Sequence, residues 1–294
     1  MRPRCGGLDF TGDRCKKSGM RKSVMPGVLR FSVALAAMFV LAACSSDDGE
    51  VAYVERPPEV IYNDALDSLQ DGNYKKASSG FDEVERQHPY SVWATKAQLM
   101  AAFSAYQDNN YELAVLAAQR FIRLHPGNKD VPYAYYLIAI SYYEQISDVG
   151  RDQENTKQAL SALEELVRRF PESKYARDAR LKIDLARDHL GGKEMEIGRY
   201  YLNQRQYVAA INRFRVVIEN YQTTTHAPEA LHRLTEAYLA LGVTDEAQTA
   251  GAVLGFNYPD SDWYQDSYAL LTESDLELKA SQDSWITRAW KQVF

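Results

Sequence analysis

Along most of this chain, apolar residues return every three or four positions, and no stretch alternates apolar with polar in the manner of a strand. That spacing gathers them on one side of a helix. One set of such segments covers residues 60–69, 95–106, 133–143, 178–202 and 228–241. Each is followed by a shorter stripe opened by an alanine: Ala77-Phe81-Val84, Ala114-Ala118-Phe121, Ala159-Leu163-Leu166, Ala210-Phe214-Val217 and Ala247-Gly251-Leu254. A proline five residues after the last stripe position ends most of these second segments. Segment and stripe together predict a helical hairpin, in which the small alanine lets the two helices approach closely.

The hairpins repeat. Tyr74, Ala77, Val84 and His88-Pro89 fall on Tyr111, Ala114, Phe121 and His125-Pro126, each 37 residues later. The alanine landmark then recurs after 45, 51 and again 37 residues, at Ala159, Ala210 and Ala247. Small, aromatic and proline signposts at a period somewhat above 34 residues match the tetratricopeptide pattern. The fold expected is all-α: an α-solenoid of five tetratricopeptide-like hairpins over residues 59–275, with an amphipathic or disordered tail over 276–294. The third copy carries extra residues within 147–155. The long link from Pro171 to Ala210 predicts one extended helix. Gly191-Gly192 lies in that link, and two glycines cost a helix roughly 1 kcal/mol each, so a kink is expected there.

Only one apolar run breaks the helical period. Residues 31–41, FSVALAAMFVL, are uncharged and follow Arg21, Lys22 and Arg30. A membrane-spanning helix needs about 20 such residues, whereas a run of this length with a basic flank reads as a signal-peptide core. Leu41-Ala42-Ala43-Cys44 then matches the lipobox of bacterial lipoproteins, which implies cleavage before Cys44 and a covalent lipid on its sulfur and amino group. The alternative is an ordinary signal peptide that happens to precede a cysteine. Ser45 at the next position points to the outer membrane's periplasmic leaflet, with residues 44–58 as a lipidated tether reaching roughly 45 Å if extended. Residues 1–19, polar and ahead of sufficient starts at Met20 and Met25, read as an over-extended N-terminus. Residues 1–43 are therefore expected to be absent from the mature chain.

Charge and composition narrow the partners. The chain holds 34 Lys or Arg and 40 Asp or Glu; 8 and 2 of these precede Cys44, leaving 26 against 38 and a net charge of −12. Such a surface has no general attraction for nucleic acid. Cys5, Cys15 and Cys44 are the only cysteines, so the mature chain is expected to hold no disulfide, and no metal site is expected. No cofactor is expected beyond the lipid on Cys44. There is no Gly-rich phosphate loop and no nucleophile motif, His88 and His125 recur as repeat signposts, and carboxylate pairs such as Glu164-Glu165 read as solvated surface. Catalysis is not expected.

In helical-hairpin repeats the first helices line the concave face. One face of these helices carries Tyr62 and Leu66, then Phe103 and Tyr106, then Tyr133, Tyr136 and Tyr143, at spacings of three and four. This aromatic trough suits an extended peptide ending in aromatics. The alternative is that the tyrosines pack between repeats.

The lipobox, the short acidic tether and five repeats bearing "LQDGNY", "RFIRLHPG" and "AINRF" together resemble the BamD family, the tetratricopeptide lipoproteins of the outer-membrane β-barrel assembly machinery. The resemblance covers about residues 55–275. It implies a non-catalytic scaffold that binds the machinery's barrel subunit through its C-terminal repeats, meets accessory lipoproteins, and receives the terminal segment of unfolded β-barrel clients at its N-terminal repeats. It also implies an arginine–carboxylate pair at the barrel-subunit contact; Arg213 and, second, Arg215 are the candidates, a solvated charge being the alternative. Adaptor work in cell division or cell-wall synthesis, or a periplasmic holdase, are other roles open to a lipoprotein of this kind.

Overall fold

The computed structural model of the chain describes residues 55–291. The signal segment, the lipobox with Cys44 and the start of the tether lie outside the described residues. The described part holds twelve helices and no strand. Five hairpins run in order: α1 (Pro58–Gln70) with α2 (Tyr74–Gln87), α3 (Val92–Gln107) with α4 (Tyr111–Leu124), α5 (Val131–Tyr143) with α6 (Glu154–Arg169), α7 (Lys174–Asn203) with α8 (Tyr207–Asn220), and α9 (Ala227–Leu241) with α10 (Thr244–Asn257). Two further helices follow, α11 (Asp262–Glu273) and α12 (Trp285–Lys291).

The alanine landmarks explain the hairpins. Ala77, Ala114, Ala159, Ala210 and Ala247 are all completely buried, and so are Phe81, Ala118, Leu163 and Phe214 four residues on. Where the first helix turns into the second, Gly72, Asn109, Arg205 and Gly242 take left-handed backbone angles at equivalent positions. The second helices end alike. The residue after each one, His88, His125, Phe170, Tyr221 or Tyr258, leaves the helical region while its N–H still donates to the carbonyl of the last stripe residue. Proline follows in four of the five cases, and the residue before a proline is pushed out of the α region.

Each helix from α1 to α10 packs on the next, α12 packs on α8 and α10, and first helices of neighbouring repeats also touch: α1 with α3, α3 with α5, α5 with α7, α9 with α11. The first helices thus crowd together on the inner face, and the second helices spread on the outer one. Helix α7 is the extended helix the link predicts, and its helical assignment continues through Gly191-Gly192. The glycines are spacers for a close crossing. A Cβ on Gly192 would stand 2.9 Å from His226 Nε2, and one on Gly191 would stand 3.3 Å from Thr224 Oγ1. Gly198, further along, lies so close to the Phe214 ring that any side chain would overlap it.

The tail is ordered as far as it is described, and its amphipathic character is what orders it. Ile286, Ala289 and Trp290 of α12 are buried in the same cluster as the cores of the last two hairpins. Trp285 Nε1 donates to Tyr238 Oη at 2.9 Å. Ser281 N donates to Thr249 Oγ1 at 3.1 Å, and Tyr258 meets Trp290 edge-on.

Candidate functional site: the tyrosine trough and the arginine face

All seven trough candidates are half-buried, neither solvated nor sealed. Tyr62 and Leu66 of α1 pack on the core of the first hairpin, where Tyr62 lies 5.2 Å from the Phe81 ring and 5.0 Å from Trp93. Phe103 and Tyr106 of α3 lean on the second core. Tyr133, Tyr136 and Tyr143 come from α5, and Lys182 Nζ sits over the Tyr143 ring.

The structure draws three of the seven into one aromatic cluster and adds a fourth ring. Tyr175, near the start of α7, stacks on Tyr136 at 5.1 Å and lies 5.2 Å from Tyr133. Tyr106 is close enough to both to shift their ionisation. Tyr136 Oη donates to Asp178 Oδ2 at 2.7 Å, and Asp178 in turn meets Lys182. Burial, then neighbouring Tyr175 and Tyr106, push the Tyr133 phenol up to about 12. Burial and the Asp178 carboxylate raise Tyr136 further, and burial with Glu144 raises Tyr106. All three stay neutral donors at any physiological pH. The trough therefore offers ring faces, phenol hydroxyls and one carboxylate. Tyr62 and Leu66 lie on a different hairpin core from this cluster.

Tyr175 and Asp178 are the residues the sequence reading passed over. It opened the fourth first-helix at residue 178, and the true start is Lys174. Ser173, with extended backbone just ahead of it, was the available signal.

Arg213 and Arg215, two positions apart, lie on opposite flanks of α8, and both already have partners. Arg213 Nη1 reaches Glu194 of α7 at 3.1 Å with the guanidinium side chain 42% exposed. Arg215 pairs with Glu219 at 2.7 Å, and its guanidinium covers the Trp285 ring of α12 at 4.9 Å. Arg215 thus serves the tail, whereas Arg213 reaches across to α7.

The histidines are tied to their neighbours: His88 to the Arg56 carbonyl, His125 to Gln98, His189 to the Ser147 carbonyl, His232 to Ser267. Among the described residues no group of three His, Cys, Asp or Glu side chains could hold a metal ion, and no helix is long and apolar enough to cross a membrane.

Comparison with known proteins meets this geometry at the level of the whole chain. A family model described as "Outer membrane lipoprotein" (YfiO) matches residues 54–254. The outer membrane protein assembly factor BamD of Caulobacter vibrioides is 50% identical over 84% of this chain and 83% of its own length. The factor of the same name from Rickettsia prowazekii is 47% identical over 79% of this chain and 92% of its own. Among solved structures, a tetratricopeptide protein of Thermus thermophilus overlays 74% of this chain and all of its own, at 19% identity and a TM-score of 0.34. With a family match over two thirds of its length and a relative identical at every second position, the chain belongs to the YfiO family of outer membrane lipoproteins.

Proposed function

We propose that this chain is the lipid-anchored scaffold and client-binding subunit of an outer-membrane protein assembly complex, and that it catalyses no reaction. The role in assembly is supported by the BamD relatives, whose name states it, at 50% and 47% identity over most of the chain. The observation that carries the client-binding part is the cluster of Tyr106, Tyr133, Tyr136 and Tyr175 between three successive first helices, half-open and with neutral hydroxyls. Such rings present large contact area at small entropic cost, and the terminal aromatic of an unfolded barrel strand fits them. Replacing Tyr62, Phe103 and Tyr136 together by Ala should weaken crosslinking to a peptide ending in a barrel's terminal strand, and leave co-purification of the barrel subunit in place. Undiminished crosslinking in a folded triple variant would reduce the tyrosines to packing.

The anchor and the partner face belong to the same reading. Cys44 carries the lipid that holds the chain at the periplasmic face of the outer membrane, each buried methylene contributing about 0.8 kcal/mol. Cys44→Ser should abolish labelling by palmitate and release the chain from outer-membrane fractions; continued labelling would refute it. Arg213 engages a carboxylate of the barrel subunit, and Glu194 holds its guanidinium in place until then. Arg213→Glu should strip the barrel subunit from the purified complex while α-helical content stays constant, and accessory lipoproteins should remain. Full retention of the barrel subunit would remove Arg213 from the interface.

A further inference from the structure

The outer face of the solenoid carries the same groove more than once, and the chain fills one copy with its own tail. Between α8 and α10, helix α12 lies over the buried floor of α9. Between α4 and α6, over α5, an open groove of about 500 Å³ stands at the equivalent place.

The equivalence holds residue by residue. Counting from the alanine landmarks, α4 and α5 map onto α8 and α9 at an offset of 96, and α6 maps onto α10 at 88. Tyr142 of the open groove corresponds to Tyr238, whose hydroxyl accepts from Trp285. Ser161 corresponds to Thr249, whose hydroxyl accepts from Ser281 N. Ile122 and Ala162 correspond to Ile218 and Ala250, both completely buried beside α12. In the open groove the same four positions are only half-buried or, for Ser161, exposed. The apolar floor and the hydroxyl ledge that hold α12 are therefore present a second time, with no helix of the described chain seated on them and Arg169 of α6 over the Tyr135 ring at one edge.

The charge at the rim is the difference. Beside α12, Glu246 accepts from Ser284 at 2.5 Å, and Glu219 holds Arg215, whose guanidinium covers the Trp285 ring. At those two wall positions the open groove has Arg123 and Gln158, and its one lining carboxylate, Glu165, is paired with Arg168 and Arg169. Arg123 is exposed and has no ion pair among the described residues. An opposite charge belongs on whatever binds there. The preceding copy of the groove, between α2 and α4, is also open, at about 590 Å³, but it is lined by Asp82 and Glu85, and its two arginines, Arg86 and Arg120, are paired with Glu83 and Glu85, so it does not suit an acidic occupant.

We propose that the groove between α4 and α6 is a docking site for an amphipathic, acidic helix of a partner protein, seated as α12 is seated between α8 and α10. The occupant presents apolar or aromatic residues with the spacing of Trp285, Ile286, Ala289 and Trp290, two turns on one face, and an acidic flank toward Arg123. This surface lies on the second helices and their outward floor, so it is distinct from the tyrosine trough.

The test uses the full chain with Cys5, Cys15 and Cys44 changed to Ser, and a synthetic peptide of residues 281–291 carrying an added N-terminal cysteine. In the peptide Arg288→Glu and Lys291→Glu supply the acidic flank. Binding read by fluorescence anisotropy should saturate, and should weaken at least about tenfold with Ala162→Trp, which fills the floor, and several-fold with Arg123→Ala. Disulfide capture should be strong with Ser161→Cys in the chain and weak with Thr249→Cys. The unaltered basic peptide should bind less well. Absence of saturable binding would overturn the proposal. So would capture at Thr249→Cys alone, which would mean that the peptide merely displaces α12. Tighter binding of the basic peptide would also overturn it, and would make the groove a seat for the tail of a second copy. Circular dichroism of Ala162→Trp distinguishes a filled groove from a misfolded one, and Ile122→Glu on the opposite wall repeats the measurement.

Discussion

The first three hairpins and the last two are built from the same landmarks and end up as different kinds of object. From Met195 in the second half of α7 onward, one continuous cluster joins Met195, Phe214, Leu234, Leu254, Leu271 and the α12 residues Ile286 and Trp290. Up to Ile183 in the first half of α7 the core is divided among three clusters, rimmed by half-buried tyrosines. Local opening is cheapest where buried apolar contacts are few. The N-terminal half is thus suited to a surface that adjusts to many client sequences, and the C-terminal half to a rigid platform held in a fixed complex.

The sharpest way to break this comparison is to remove one phenylalanine from each half. Phe81 and Phe214 occupy the same stripe position and are both fully buried. Each Phe→Ala change should cost about 3–5 kcal/mol, yet the spread of the damage should differ. Hydrogen exchange should show Phe81→Ala loosening α1–α3 alone and Phe214→Ala loosening α7–α12 together. Equal spread from both would make the two halves alike.

A smaller effect is expected from Trp290→Ala, about 2–3 kcal/mol, because a short peripheral helix can lift away without emptying the centre. Protection should fall in α8 and α10, and in no helix ahead of α7. Tyr136→Phe should cost about 1.5 kcal/mol, the low end for a hydrogen bond to a charged group, because the half-exposed Asp178 carboxylate keeps Lys182.

The smallest effect is a pH dependence confined to the C-terminal half. Burial, then the Arg233 guanidinium, holds the His232 imidazole below its ordinary 6.5. The unfolded chain therefore binds the proton more readily than the folded one. The resulting stability is complete above the ordinary value and is lost as pH falls below it toward the lowered one. Midpoints of urea unfolding at pH 7.5 and 5.5 should differ less in His232→Gln than in the wild type.

These two halves were not equally legible in the sequence. Stripe residues such as Ala159 and Leu163 could be placed because each hairpin buries its stripe against its own partner, and that contact is local and periodic. The role of Gly191-Gly192 as spacers was not legible, since a helix penalty is visible in sequence and a crossing with Tyr221, Thr224 and His226 is not. The fate of the tail turned on three-dimensional contacts, Trp285 with Tyr238 across 47 residues of chain among them. Tyr175 fell outside the predicted helix by three residues, and so the ring that completes the trough was passed over. The pairing of Arg215 with Trp285 was invisible for the same reason as the tail.

One measurement bears most directly on the claim that the N-terminal half receives clients and the C-terminal half does not. Hydrogen exchange of the full chain would be followed with and without a peptide ending in a barrel protein's terminal aromatic strand. Added protection should appear in α3, α5 and the first turns of α7, around Tyr106, Tyr133, Tyr136 and Tyr175, and leave α8–α12 unchanged. Protection confined to α8–α12, or none at saturating peptide, would contradict the account.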